Sequence, residues 1–334
     1  MNRNYGMFGI GLQPDENAAE PAVSFPASSD SPGIDVSTTT EPARVTNGMR
    51  DTTIDRYISG SESTATVTTL AFADMLGLVL YGTLGRIAST GDAAPYTHDI
   101  KMGEVLPTLT FTQQVGATDA ALQTLDGCKV NSLAIEAEGT TPPSVQIGLA
   151  GCAAKWLEEN VWNDPDFDAD DGYFRTTDAE VLFSLTDGNA VAPPSSVILS
   201  RISISVANNV EAGTRFGEVD PHEQQEGAAT VTASVEGTTS STSMYRAVKT
   251  GSDTGTNIAK TIVTGALQVT FQHSKHPDWT FVVKLPAIPW TIEAMNVGVE
   301  GGPFALNLST DGAISVSGTS IEFILTNGVE SYTE

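Results

Sequence analysis

The sequence predicts a mainly β protein of antiparallel strands with two short helices. Most apolar stretches alternate apolar with polar residues and are rich in Val, Ile and Thr, which is typical of half-buried strands. With 40% apolar and 17% charged residues, the chain has the composition of a folded protein, not of an acidic disordered tail. Its 334 residues are enough for two domains.

Residues 1–50 are predicted to form an extended N-terminal arm. Prolines recur in this segment, and the Ser-rich stretch PASSDSP and the run STTT leave little periodicity. Predicted strands begin after it. They cover residues 63–70, 108–115, 131–138, 144–151, 179–185, 197–206, 229–237, 266–272, 280–285 and 320–326.

Two stretches have helical spacing. Residues 71–85 carry apolar side chains on one face and end at Gly85, as a C-cap would. Residues 240–250 open with a Ser/Thr run suited to an N-cap and end before Gly251. Each stretch predicts one short helix.

The two helices have matching surroundings, which indicates an internal duplication. STATVTTL leads into the first and AATVTASVEG into the second, and TLTFTQQ and LQVTFQH follow them. A second pairing, of NSLAIEAE with SRISISVA, has a different register, so no single repeat period follows. We expect a duplicated β-sandwich unit with one helix. The predicted domains are residues 51–160 and 179–334, joined by an acidic linker at residues 161–178.

A long polar connection, NNVEAGTRFGEVDPHEQQEG, separates the strands predicted at 197–206 and 229–237. A connection of this length in a compact β domain is more often functional or intersubunit than idle. We predict that it packs on a neighbouring subunit. The candidate intersubunit residues are Glu211, Arg215, Glu218, Asp220, Glu223 and Glu226.

The richest acidic cluster lies between residues 164 and 171. Asp166, Asp168 and Asp170 have the spacing of the first calcium-loop ligands, but position six is Asp171 instead of Gly and position twelve is Thr177 instead of Glu. We favour a solvated linker, with a loose Ca²⁺ site as the alternative. No other cofactor is predicted.

The histidines and cysteines form no catalytic pattern in the sequence. His273 and His276 lack a third nearby ligand and precede Pro277, which favours a hairpin turn over a metal site. Cys128 and Cys152 flank a predicted hairpin at a separation that a disulfide can span, while a reducing cytoplasm would keep them as thiols. Nucleotide, serine-hydrolase and zinc-protease motifs are absent. We therefore predict that the protein is not an enzyme.

The net charge of −25 limits the partners. Broad binding of phosphate backbones needs clustered Lys and Arg, so DNA near this chain is repelled. The acidic excess fits either a high-salt habitat or an acidic functional surface. No apolar run is long enough to span a bilayer, and the N-terminus has no signal-peptide pattern.

Taken together, these patterns resemble the tail tube (major tail) protein of long-tailed, siphovirus-type phages and haloarchaeal tailed viruses. The residues that carry the likeness are STATVTTLAFADMLGLVLYGTLG followed by VLPTLTFTQQ, and the segments DGCKVNSLAIEAEG and PPSVQIGLAG. The likeness covers roughly residues 50–310.

The resemblance implies a structural virion protein whose subunits form closed rings by sharing strands in an inter-subunit β-barrel. Rings would stack into the virion tail after assembly in the host cytoplasm, between tail terminator and tail tip proteins and around a tape measure protein. The duplication favours a trimeric ring with pseudo-sixfold symmetry, with a hexamer as the alternative. Viral DNA would pass during ejection without sequence-specific binding.

Within that resemblance, Glu136 and Glu138 are the candidate lumen carboxylates, because both alternate outward on one predicted strand. The arm and the long loop would bridge rings or neighbouring subunits. A capsid decoration protein and a receptor-binding β-sandwich adhesin are the alternatives from another functional class. A hydrolase whose site assembles only in space is a third.

Overall fold

The chain is mainly β in the part that the structure describes, and the predicted class is confirmed. The computed structural model describes residues 6–13, 23–26, 31–46, 52–115, 121–157, 172–186, 189–294 and 303–333. Within these residues the strands pair in antiparallel fashion and two helices are present.

The elements follow one another along the chain with few long gaps. The first-half elements are β1 (Gly6–Leu12), β2 (Val23–Phe25), β3 (Gly33–Arg44), β4 (Thr53–Leu70), α1 (Ala73–Leu84), β5 (Gly85–Thr90), β6 (Tyr96–Met102), β7 (Leu109–Val115), β8 (Ala121–Glu138), β9 (Ser144–Gly151) and β10 (Ala153–Trp156). The second-half elements are β11 (Phe174–Ser184), β12 (Val197–Ala207), β13 (Glu211–Gly213), β14 (Glu223–Gln225), β15 (Thr230–Thr239), α2 (Ser243–Thr250), β16 (Gly265–His273), β17 (Thr280–Ile288), β18 (Thr291–Ile292), β19 (Phe304–Thr310) and β20 (Glu322–Asn327).

The larger sheet has 12 strands. Its central path runs β3-β4-β9-β8-β12-β15-β19-β18, and every neighbouring pair is antiparallel. The 18-residue strand β8 serves two groups: its second half pairs with β9 and β12, and its first half pairs with β7 and β10. From β7 the pairing continues to β1 and β2.

The second sheet has six strands in the order β11-β16-β17-β20-β6-β5. Strands from both predicted domains pair in each sheet, as β8 does with β12 and β6 with β20. Residues 161–178 therefore do not separate two independent sheets. Buried apolar side chains of both halves also belong to one core cluster.

Helix α1 is buried on nearly every side. Most of its residues are apolar or small, and Gly77 faces the ring of Tyr332, where a Cβ atom would lie 2.1 Å from a ring carbon. The helix ends at Gly85, whose left-handed φ of 83° suits glycine. The predicted helix and its glycine cap are confirmed.

Two asparagines from the second half hold the ends of α1. Asn327 Nδ2 donates to the Ala73 carbonyl at 2.9 Å. Asn208 Nδ2 donates to the carbonyls of Thr83, at 2.9 Å, and Val130, at 2.8 Å. These buried backbone acceptors are thus satisfied by side chains that are distant in sequence.

Helix α2 lies at the periphery. Only Met244, Ala247 and Val248 are buried among its residues, and it ends at Gly251 with a left-handed φ of 79°. The second predicted helix is confirmed, with a start three residues later than expected.

The segment predicted as an extended arm contributes strands to the fold. β1 pairs along its whole length with β7, and Ile10 and Phe25 are fully buried. β3 pairs with β4. The arm prediction is wrong for these residues. β1 and β2 are short and β3 is exposed along most of its length, so none of them gives a clear apolar period.

Candidate assembly surface

The outward face of the large sheet consists mostly of small polar side chains. Along β12, Ile202, Ile204 and Val206 point to the core, so Ser203 and Ser205 face outward. The register extends this alternation across the central strands, and we call the result the outer polar face. Its uncharged members include Thr64, Thr66, Thr68, Ser132, Ala134, Ser144, Gln146, Gly148, Ser203, Ser205, Thr230, Thr232, Ser234, Asn307 and Ser309.

Carboxylates outnumber cations on the outer polar face. Its acidic members include Glu136, Glu138, Glu236 and Glu293. The cations that the described strands place there are ion-paired: Arg201 lies 3.1 Å from Glu136, and Lys129 pairs with Glu226. The hydrogen bond with Glu136 raises the pKa of Arg201. Since pairing neutralises the cations, the face keeps a net negative charge.

The predicted lumen residues Glu136 and Glu138 both lie exposed on the outer polar face. Strand alternation located them, because Leu133, Ile135 and Ala137 occupy the buried positions between. Sequence reasoning missed Arg201. Its pairing with Glu136 depends on β8 and β12 lying side by side, and nothing local in the sequence signals that neighbourhood.

The predicted intersubunit loop, residues 208–227, lies largely on its own chain. Gln224 Nε2 donates to the Gly151 carbonyl at 2.8 Å, and Glu226 pairs with Lys129. Burial acts to raise the pKa of Glu226, but the hydrogen bond and charge of Lys129 outweigh it and lower that pKa. These intrachain contacts hold the base of the loop, and its packing on a neighbouring subunit stays a prediction.

The rest of this loop is exposed. Arg215 and His222 lie 3.8 Å and 3.5 Å from Glu218, and Phe216 at the tip is fully exposed. The remaining predicted loop residues, Glu211, Asp220 and Glu223, are exposed as well. Phe216 was missed by sequence reasoning, because a single aromatic residue in a polar loop does not reveal its exposure.

The hairpin of β3 and β4 extends beyond the sheet. Residues 35–41 and 53–59 are exposed on both faces of this two-stranded ribbon, and Ile54, Tyr57 and Ile58 are among them. At its base the Ser61 amide donates to the Val219 carbonyl at 3.0 Å, and the Ser61 hydroxyl bonds Asp220. The hairpin therefore touches the loop of residues 208–227.

Both ends of the central path are open. In the described part of the chain no strand pairs with the outer side of β3 or of β18. An unpaired strand edge is a template for pairing with another chain, which soluble monomers usually block with charge, proline or a covering segment. Pro42 lies in β3, but Ser37–Thr40 present an edge without charge or proline.

Cys128 and Cys152 are free thiols, so the candidate disulfide is not formed. Cys128 is fully buried in the core. Cys152 is half-buried; its amide donates to the Asp126 carbonyl and its side chain lies against Gly127. Burial raises the pKa of both thiols. Cys152 lines a polar cavity of about 520 Å³ beside Lys155 and His222.

The remaining predicted sites are the aspartates of the calcium-loop pattern and the pair of histidines. Asp166, Asp168 and Asp170 lie outside the described residues, and the described part contains no cluster of three or more His, Cys, Asp or Glu side chains suited to a metal. His273 ends β16 and His276 lies in the turn before β17, so the predicted hairpin turn is confirmed.

No described helix is long and apolar enough to cross a bilayer. No protein-family model matches the chain, and no curated protein is similar to it.

Proposed function

We propose that this chain is a structural subunit of a viral tail tube. Copies join edge to edge into a ring, and stacked rings enclose an acidic channel for DNA during ejection. The subunit acts without catalysis or cofactor, in a virion tail assembled in the host cytoplasm. Its tail terminator, tail tip and tape measure partners follow from the resemblance of the sequence to tail tube proteins.

The two open edges of the large sheet carry this proposal most directly. Chains that share a barrel remove unpaired edges, and each chain gains backbone hydrogen bonds on assembly. β3 and β18 lie at opposite ends of one sheet path, so copies can add head to tail. Such head-to-tail contacts form a ring when the rotation that relates one copy to the next divides a full turn evenly.

The order of strands supports a duplicated unit within each chain. The central path divides into β3-β4-β9-β8 and β12-β15-β19-β18, and each half begins with a hairpin whose second strand precedes a helix. Because all neighbours are antiparallel, a shift by four strands restores strand direction. Two such units per chain favour a trimeric ring with pseudo-sixfold symmetry over a hexamer.

The outer polar face suits a channel wall. Its carboxylates repel the phosphate backbone, and Arg201 and Lys129 are occupied by glutamates of the same chain. Most side chains between them are those of Ser, Thr, Ala and Gly, so little bulk projects from the centre of the face; the larger Ile198 is exposed near its edge, at the start of β12. DNA that meets this wall is guided without being held.

Electron microscopy of the purified protein at high concentration tests the proposal. We expect hollow tubes or rings, with the outer polar face lining the bore in a reconstruction. Monomers under all salt and concentration conditions, or a bore lined by the six-stranded sheet, would contradict it. Monomers that bind glycans or cells would favour the adhesin.

Cysteine labelling gives an independent test of which face lines the bore. In a Cys152→Ser background, Glu138→Cys should react with a bulky maleimide in dilute monomer and be protected in tubes. Ile258→Cys, on an exposed loop away from the face, is the matched control and should react in both states. Equal labelling of Glu138→Cys in both states would show that this face is not enclosed.

A further inference from the structure

The projecting β3–β4 hairpin and the loop of residues 208–227 are positional counterparts. Thr39 pairs with Gly60 where the hairpin leaves the sheet, and Ala207 pairs with Thr230 where the loop leaves it. Both excursions connect antiparallel strands that precede a helix, and both leave the same end of the sheet. They are also of similar length, at residues 40–59 and 208–229.

The hairpin and the loop differ in the contacts that they make within their own chain. The loop lies across the end of β9, where Gln224 bonds Gly151 and Glu226 pairs with Lys129. The hairpin touches the described chain through Ser61, and its residues 35–41 and 53–59 are exposed. An isolated two-stranded ribbon is marginally stable in water, and clustered exposed apolar side chains mark interaction sites.

The loop contacts the end of β9, and the strand register locates the corresponding surface in the second half. Leu149 in β9 pairs with Ala65, and Leu308 in β19 pairs with Val235 at the corresponding place. By this register Gly151 corresponds to Thr310, so the equivalent surface is the segment after β19. That segment exposes Ile314 by 40% and Val316 by 43%.

We propose that the β3–β4 hairpin of one copy docks on residues 310–316 of the next copy, repeating between chains the contact that the loop makes within the chain. Ile54, 61% exposed, and Ile58, 51% exposed, are the apolar anchors, and Ile314 and Val316 receive them. This inference rests on the proposed head-to-tail ring and names its second contact, beside the paired edges. It explains why the hairpin exposes Ile54, Tyr57 and Ile58 along one of its strands although it makes few contacts within its own chain.

Mixed-chain cross-linking tests this contact. Two variants are prepared separately in a Cys152→Ser background, one with Ile58→Cys and one with Ile314→Cys, then mixed under assembly conditions and treated with a short bismaleimide. We expect a covalent dimer from the mixture and little from either variant alone. Ile58→Cys mixed with Ala93→Cys is the control, because Ala93 is exposed in the turn between β5 and β6, at the Asn327 end of β20, whereas residues 310–316 precede its Glu322 end.

A second measurement uses charge at the anchors. The Ile54→Asp/Ile58→Asp variant should raise the critical assembly concentration at least about tenfold, since two partly buried Ile contacts are lost. Its monomer should keep its circular dichroism spectrum and denaturation midpoint, because both side chains are exposed. Ile258→Asp should leave the critical concentration unchanged.

The outcomes of these experiments distinguish a failure of the hairpin contact from a failure of the proposed tail tube function. If the wild type forms tubes but the mixture gives no dimer and Ile54→Asp/Ile58→Asp assembles normally, the hairpin contact is refuted and the tube stands. If the wild type never self-associates, both are refuted.

Discussion

The two helices occupy corresponding places in the strand order, yet they contribute differently to the fold. α1 is surrounded by β8, β6, β20 and the C-terminal segment, and second-half asparagines bond both of its ends. α2 buries three side chains and contacts mainly β18. The first half therefore forms the centre of one shared core, while the second half leaves its helix at the edge. Helices at corresponding places in the strand order need not be energetically equivalent.

Truncating one side chain in each helix tests this difference most strongly. Leu80 in α1 is fully buried, so Leu80→Ala should reduce the free energy of unfolding by about 3–4 kcal/mol. Val248→Ala in α2 should cost about 1.5 kcal/mol, because it removes two methyl groups at a partly covered site. Urea denaturation monitored by circular dichroism measures both. Equal losses would mean that α2 is as central as α1.

Replacing Asn208, which bonds the C-terminal end of α1, should have the next largest effect on the free energy of unfolding. Asn208→Ala leaves the Thr83 and Val130 carbonyls without their side-chain donor in a buried site, and we expect a loss of about 2 kcal/mol. Asn307→Ala is the control, since its exposed bond to Glu293 should be worth less than about 0.5 kcal/mol. A loss for Asn208→Ala as small as the control's would show that α1 does not depend on this contact.

Buried histidines extend the comparison to pH. Burial, together with the nearby charges of His276, Lys275 and Arg175, lowers the pKa of His273 from 6.5 to about 4. The unfolded chain then binds the proton first, so stability is present above pH 6.5 and is lost as the pH falls toward 4. At pH 5 this group should cost about 2 kcal/mol relative to pH 7.

The His273→Asn variant should flatten this part of the pH profile, measured as unfolding free energy between pH 7 and pH 5. Burial also lowers the pKa of His98, although its Nε2–H donates to Asn327 Oδ1 and to the Val329 carbonyl, and this group accounts for a separate loss of the same sign. An unchanged slope in His273→Asn would assign the acid sensitivity to the first half alone.

The smallest effect is expected at the tip of the loop. Phe216 is fully exposed, so Phe216→Ala should change the stability of the monomer by less than about 0.5 kcal/mol. If Phe216 contacts a stacked ring, as the proposed tube allows, the same variant should raise the assembly concentration. A destabilised monomer would place Phe216 inside the fold.

Local patterns in the sequence determined the class, both helices with their glycine caps, and most second-half strands, because period-two and period-3.6 burial leave traces within a few residues. They also located Glu136 and Glu138 on an exposed face. They failed for β1 to β3, whose few buried side chains are interrupted by turns.

Only the tertiary structure decided which strands became neighbours. The pairing of β8 with β12 creates the Glu136–Arg201 ion pair, merges the two halves into one core and leaves β3 and β18 without an outer partner strand among the described residues. It also buried Cys128 in the core, left Cys152 half-buried and joined Glu226 of the acidic loop to Lys129 of its own chain. Strand pairing depends on the packing energy of side chains that are far apart in sequence. Local hydrophobic periodicity therefore does not predict it.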